Sequence, residues 1–204
     1  MTAQDPNIEQ DVRQIVQRVL GGLLDSPDNG SQATNPPVEQ PSESAPERDQ
    51  RSQTVAVGGD HGGFGLKERI LFRLSEQGVT VVDCGTDSTD AVDYPDIAVA
   101  VARTVASGEA DVGIIVDGAG IGSAMAANKI PGIRAALCYD LSTARNAREH
   151  NHANVLTLGA GLIGDALALS ITQEFLATPY GGGRHAARVK KIDALDEAHM
   201  DRTG

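Results

Sequence analysis

Between residues 7 and 24 the apolar positions Ile8, Val12, Ile15, Val16, Val19 and Leu23 recur at intervals of 4, 3, 1, 3 and 4. That spacing lines them along one face of a helix. Asp5 or Asn7 is placed to cap its start, and Gly21–Gly22 weakens its end. The periodicity then stops. Across residues 25–53, DSPDNGSQATNPPVEQPSESAPERDQRSQ, only Ala33, Val38 and Ala45 are apolar. So polar a stretch buries too little to offset the entropy of ordering, and it reads as a flexible Pro/Ser-rich linker. As a random coil it would span ~30 Å.

From Thr54 onward short apolar runs alternate with amphipathic stretches. TVAVG predicts a strand, and a glycine-rich turn, GGDHGGF, leads from it into a helix. In that helix Leu66, Ile70, Leu71 and Leu74 face inward, while Lys67, Glu68, Arg69 and Glu76 face outward. Gly78 stops it and VTVVD is the next strand. Asp93-Tyr94-Pro95 opens a helix along Ile97, Val101 and Val105. VGIIV, IRAALC and NVLTLG supply three more strands. The intervening helices carry Asn128 and span Ser142 to His150. An apolar helix over 163–177 and a charged one after Gly181–Gly183 close the chain. Strands separated by helices predict an α/β fold, a three-layer Rossmann-like parallel sheet with helices on both faces. The expected division is therefore a docking helix (1–24), a linker (25–53) and a single domain (54–204).

Composition narrows the function. No run approaches the roughly 18–20 apolar residues of a membrane span. The N-terminus lacks the basic start and apolar core of a secretory signal, so a cytoplasmic location is expected. A net charge of −11 argues against nonspecific nucleic-acid binding. It leaves room for a small anionic substrate, since local arginines override the global sign. Cys84 and Cys138 each adjoin an apolar run, which predicts buried free thiols rather than a disulfide or a metal site.

The densest chemistry lies in Val112–Lys129, VGIIVDGAGIGSAMAANK. Gly118, Gly120 and Gly122 alternate through the turn, where backbone N–H groups can converge on an anion. Asp117 stands at the carboxyl end of the strand, where open α/β sheets hold ligands. A carboxylate beside an anion cradle suits an oxygen that turns negative while the carboxylate moves a proton. The plainer reading is a tight turn with a capping Asp. Asp60 and His61 follow the first strand between two glycine pairs. The segment REHNHAN brings His150, Asn151 and His152 to a helix–strand junction. The two histidines are i, i+2 with no third ligand cluster, so no metal is expected. Arg184 and Arg188, spaced i, i+4, suit two guanidinium groups closing on one phosphate; a solvated basic face is the alternative.

Taken in order, VAVGGDHGGFGLKERI, DYPD, DGAGIGSAMAANKIPGIRAALC, REHNHANV and GGGRHAARV resemble the ribose-5-phosphate isomerase B family, which includes the galactose-6-phosphate isomerase subunits. The resemblance covers about residues 54–198. It implies aldose–ketose isomerisation of a sugar phosphate through an enediolate, first of all ribose 5-phosphate to ribulose 5-phosphate, with no metal or organic cofactor. It further implies that Asp60 and His61 contact the sugar and assist ring opening or phosphate binding, and that Tyr94 lines the pocket. The N–H groups of Gly118, Ala119, Gly120, Ile121 and Gly122 would face the enediolate oxygen. His150 would protonate the ring oxygen, Asn151 would hold a hydroxyl, and Arg184 and Arg188 would bind phosphate. Family sites are shared between two subunits, which implies a homodimer or a dimer of dimers.

This chain departs from the family at three places. The family's base is a cysteine at the position of Asp117 or a glutamate at the position of Ser123, and an arginine often stands where Gly161 does. The expectation is that Asp117 replaces the cysteine as base, with Ser123 orienting it or capping the helix. A catalytically silent sugar-phosphate-binding or docking protein of the same fold is the rival reading. A dinucleotide-binding oxidoreductase is disfavoured, because Ser123 falls where the third glycine of that fingerprint belongs. Residues 1–53 resemble in layout the encapsulation peptides of bacterial microcompartments. That layout implies a shell-protein partner for residues 1–24 and a location inside such a compartment. A helix packed on its own domain, or a disordered tail, are the alternatives.

Overall fold

The structure, a computed structural model, describes residues 53–200. The predicted helix over 7–24 lies outside the described residues, as does the linker up to residue 52. Five strands alternate with six helices: β1 (Thr54–Gly59), α1 (Phe64–Glu76), β2 (Thr80–Asp83), α2 (Tyr94–Ala106), β3 (Val112–Asp117), α3 (Ile121–Ala127), β4 (Ala135–Leu137), α4 (Leu141–Asn151), β5 (Val155–Gly159), α5 (Asp165–Ala177) and α6 (Ala186–Met200). A short 3-10 turn, Gly183–His185, precedes α6. The strands form one sheet in the order β2-β1-β3-β5-β4. Every pairing is parallel, with Val57 opposite Ile114 and Ile115 opposite Thr157.

Both faces of the sheet are covered. Leu66, Ile70 and Leu74 of α1, Ala144 and Ala147 of α4, and Ile171 and Phe175 of α5 pack against Val57, Ile114, Val116, Leu156 and Leu158. On the other face Ala98, Val101, Ala102 and Val105 of α2 and Ala127 of α3 meet Ala56, Ile115 and Val155. β3 and β5 are therefore buried throughout, as central parallel strands are, and their sequences are continuous apolar runs rather than alternating ones.

Two expectations need correction. Lys67, predicted on the outward face of α1, has no exposed surface. Its ammonium lies 2.9 Å from Asp83 Oδ2 and 3.0 Å from Glu68 Oε1. Desolvation pulls its pKa down, but the hydrogen bonds and charges of Asp83 and Glu68 outweigh that and hold it above the usual lysine value. Lys67 thus ties α1 to the end of the edge strand β2. Arg184 and Arg188 do not share one helix, because Arg184 belongs to the 3-10 turn and Arg188 to the first turn of α6.

Chain direction fixes where chemistry can gather. In a parallel sheet the strand ends and helix starts share one edge, and the helix ends and strand starts share the other. The carboxyl edge receives Asp60, Tyr94 and the turn after β3. The amino edge receives the end of α4 and the segment after α5.

Candidate active site

The turn after β3 is built around one buried carboxylate. Asp117 Oδ1 accepts hydrogen bonds from the N–H groups of Ala119, at 2.7 Å, and Gly120. Asp117 Oδ2 accepts from the Ser123 N–H, at 3.2 Å, and from the Ser123 hydroxyl. A carboxylate offers about four acceptor positions, and here all are used. Gly120 makes this possible. Its φ of +75° is left-handed, and a Cβ on it would lie 2.5 Å from Leu137 Cδ1 and 2.9 Å from the Leu158 carbonyl carbon. The carbonyls of the turn are pinned too, Ala119 O by the Tyr139 hydroxyl at 2.7 Å and Gly120 O by the Thr157 hydroxyl at 2.9 Å.

This bonding divides the glycine-rich turn into two roles. The N–H groups of Ala119 and Gly120 point inward to Asp117, so they shape the cradle rather than face a ligand. Those of Gly118, Ile121 and Gly122 remain for a bound oxygen, the latter two as unpaired donors in the first turn of α3. Tyr94, partly exposed, lies over Gly122 so closely that a Cβ there would sit 2.5 Å from its ring.

Asp60 joins the same edge. Its N–H donates to Val116 O at 3.1 Å, which ties the end of β1 to the end of β3. Its Oδ1 accepts from the Gly63 N–H at 2.8 Å. That single contact leaves acceptor capacity, in contrast to Asp117. A Cβ on Gly62 would fall 3.4 Å from Asp60 Oδ1 and 3.8 Å from Gly118 N. His61 is exposed, with Nδ1 3.2 Å from Val92 O and 3.3 Å from Val92 N. Gly161, after β5, donates its N–H to Gly118 O at 3.0 Å. A Cβ there would lie 2.9 Å from that oxygen, so the backbone closes where a side chain would have to start.

The remaining predicted residues gather at the amino edge. His150 and Asn151 are in the last turn of α4. The His150 ring stacks on His185, with centroids 4.2 Å apart and planes 4° from parallel. His152 stacks on Tyr180 at 4.3 Å, and Gly181 N–H donates to Glu149 O at 2.9 Å. These contacts bring exposed Arg184 and Arg188 to the same corner as His150. Desolvation first, then the charges of His150, Arg184 and Arg188, push the His185 pKa down. The strands between the edges are up to six residues long, which separates the two groups by about 20 Å. The predicted site residues therefore fall into two groups: Asp60, His61, Tyr94, Asp117 and the turn on one edge, and His150, Asn151, Arg184 and Arg188 on the other.

The two cysteines offer no substitute for a thiolate base. Both are free, Cys138 buried and Cys84 half-buried. Burial pushes the Cys138 thiol up to about 11 and also raises that of Cys84. The clamp from Tyr139 and Thr157 was not anticipated from sequence. A hydroxyl inside the apolar run NVLTLG was the available signal for Thr157, since a buried hydroxyl needs a partner. Among the described residues no helix is long and apolar enough to cross a membrane.

Known proteins share the family and the fold. Residues 55–192 match the sequence profile of the ribose/galactose isomerase family. Ribose-5-phosphate isomerase B of Escherichia coli K12 is 46% identical over 143 residues, covering 70% of this chain and 96% of its own. Ribose-5-P isomerase B of Listeria innocua is 40% identical over 143 residues, 70% of this chain and 97% of its own. Among solved structures, Clostridium thermocellum ribose-5-phosphate isomerase B superposes with a TM-score of 0.71 at 46% identity, covering 72% of this chain and 99% of that one. Trypanosoma brucei type B ribose 5-phosphate isomerase gives 0.68 at 51% identity, covering 70% and 98%.

Proposed function

The chain belongs to the ribose/galactose isomerase family and is an aldose–ketose isomerase, and from that premise we propose that it interconverts ribose 5-phosphate and ribulose 5-phosphate with Asp117 as the base. The observation that carries this reading is a buried carboxylate at the carboxyl end of β3 beside three N–H groups free to face an oxygen. It puts a proton acceptor and an anion cradle in one turn, the pair that enediolate chemistry needs.

Ring opening comes first. The furanose C1–O bond breaks as the ring oxygen, held by a hydrogen bond from His150, takes a proton from solvent, and the anomeric hydroxyl gives its proton to the open oxygen of Asp60. Asp117 then takes the proton from C2, and the C–H electron pair becomes the C1–C2 double bond. O1 turns negative and is held by the N–H groups of Gly118, Ile121 and Gly122. Return of the proton to C1, with a proton passing from O2 to O1, completes the ketose. Three of the four hydrogen bonds to Asp117 come from backbone N–H groups fixed by the turn. The fourth, from the Ser123 hydroxyl, is the one that can rotate away, so Oδ2 is the oxygen that takes the proton. Arg184, Arg188 and His61 hold phosphate, and Asn151 a hydroxyl.

Since one chain keeps the halves about 20 Å apart, the working site is formed between two copies, the carboxyl edge of one meeting the amino edge of the other. A homodimer is the smallest such assembly, and a dimer of dimers keeps the same contact. Residues 1–24 serve to dock the enzyme on a microcompartment shell protein.

The test is conversion of ribose 5-phosphate by the purified protein beside Asp117→Asn. Turnover by wild type and none by the variant supports both the substrate and the base. Unchanged turnover by the variant removes Asp117 as base. If wild type is inactive on this sugar, a panel of tetrose, pentose and hexose phosphates separates another substrate from a silent binding role, which would show ligand-dependent thermal stabilisation without product.

A further inference from the structure

The face of α4 that carries His150 also carries Asn146, one turn earlier. Asn146 Nδ2 lies 2.8 Å from His150 Nδ1. Asn151 Nδ2 approaches Asn146 Oδ1 within 3.5 Å. The two contacts agree on the orientation of the Asn146 amide, with its oxygen toward a donor and its NH2 toward the imidazole. An amide NH2 can only donate, so His150 Nδ1 must accept, and a neutral ring then carries its proton on Nε2. The other side of the ring points the same way. His150 Nε2 faces Glu149 Oε1 at 3.7 Å, an acceptor beside a nitrogen that bears hydrogen. His185, stacked parallel at 4.2 Å, holds the ring plane.

We propose that Asn146 is a positioning residue that fixes His150 as the Nε2–H tautomer, aimed outward as a hydrogen-bond donor. The role rests on the isomerase reading above, because ring opening needs an N–H facing the ring oxygen and not a lone pair. Asn146 itself touches no substrate. It acts through the tautomer, while the stack on His185 keeps the N–H direction constant. The neutral ring keeps its Nε2 proton throughout, hydrogen-bonding the departing ring oxygen while solvent supplies the proton that settles there, and Asn146 keeps Nδ1 an acceptor.

The test reads the tautomer directly. Full-length protein labelled with 15N-histidine is recorded at pH about 8, where imidazole is neutral, and His150→Gln assigns the His150 signals among the five histidines. Wild type is expected to show an unprotonated, pyridine-type Nδ1 and a protonated Nε2. Asn146→Asp keeps the size of the side chain but offers only acceptors, so it should move the proton to Nδ1. The same variant should lower kcat for ribose 5-phosphate by about tenfold or more with KM changed less than about threefold, the pattern of a hydrogen bond lost from the transition state. A wild-type His150 protonated on Nδ1, or an Asn146→Asp spectrum with Nδ1 still bare, overturns the proposal. Circular dichroism of the variant checks that α4 persists. Should the wild type not turn over the sugar, the ribose 5-phosphate reading falls, while the spectra still decide the tautomer.

Discussion

Asp117→Asn separates the two roles that the buried carboxylate combines. Asparagine keeps one acceptor oxygen and replaces the other by an NH2 that can only donate. If the NH2 takes the Oδ1 side, it faces the N–H groups of Ala119 and Gly120 and orphans both. If it takes the Oδ2 side, the Ser123 hydroxyl can rotate to accept, and only the Ser123 N–H is orphaned. The second arrangement is the cheaper. One buried, unsatisfied N–H costs about 1–3 kcal/mol. For a domain of this size that lowers Tm by about 3–10 °C, well short of unfolding a typical domain. Turnover should fall far more, by about 10²–10⁴-fold, because a carboxamide cannot take a proton from carbon. The assays are a thermal melt at fixed protein concentration and ribulose 5-phosphate formation on the same preparation. Ser123→Ala is the control. It removes one hydrogen bond to the carboxylate and so destabilises comparably, yet it frees a lone pair on Oδ2 and should retain turnover. An Asp117→Asn protein that melts with wild type would refute the account of the turn. One that turns over within about threefold of wild type would refute the base assignment. If Ser123→Ala is as inactive as Asp117→Asn, the loss belongs to the turn and not to the proton acceptor.

Three other outcomes are expected. Asp117→Asn and His150→Gln, each inactive alone, should regain about a quarter of wild-type activity when unfolded together and refolded as an equal mixture, since mixed dimers carry one intact site; a mixture as dead as its parents would mean that each site lies within one chain. Burial raises the Cys138 thiol from 9.0 to about 11, so the folded form favours the protonated thiol. Its contribution to stability is complete below about pH 9 and is lost as pH rises toward 11, which denaturant titrations of wild type and Cys138→Ala across that window would register as a steeper decline in wild type. Residues 1–24 fused to an unrelated soluble protein should carry it to the shell in cells that make the cognate microcompartment, and a fusion that stays diffuse there removes the docking role.

How much could be read from the sequence follows from which interactions are local. The apolar runs TVAVG and VGIIV became β1 and β3, and α5 spans Asp165–Ala177 where a helix over 163–177 was expected. Both signals are repeats of one residue type at a fixed period, and packing against a sheet reinforces them. Lys67 was misplaced because the same period cannot see Asp83, sixteen positions away, which gives a buried ammonium its partner. Asp117 was found by its place after a strand, but its bonding pattern depends on the left-handed φ of Gly120 and on a hydroxyl six positions ahead. The stack of His150 on His185 joins residues 35 apart through the fold alone. The placement of the predicted site residues at two edges, by contrast, follows from the alternation of strand and helix, while a site shared by two copies was expected from the family resemblance alone. That alternation assigns the end of every strand to one edge and the end of every helix to the other. A histidine in the last turn of α4 therefore cannot reach a carboxylate at the end of β3 in the same chain, however close the family pattern places their roles. The order of elements thus argues for a second copy at the site, whereas the surfaces by which two copies would meet, such as exposed Ile121 and Met125 of α3, carry no period from which a partner could be read.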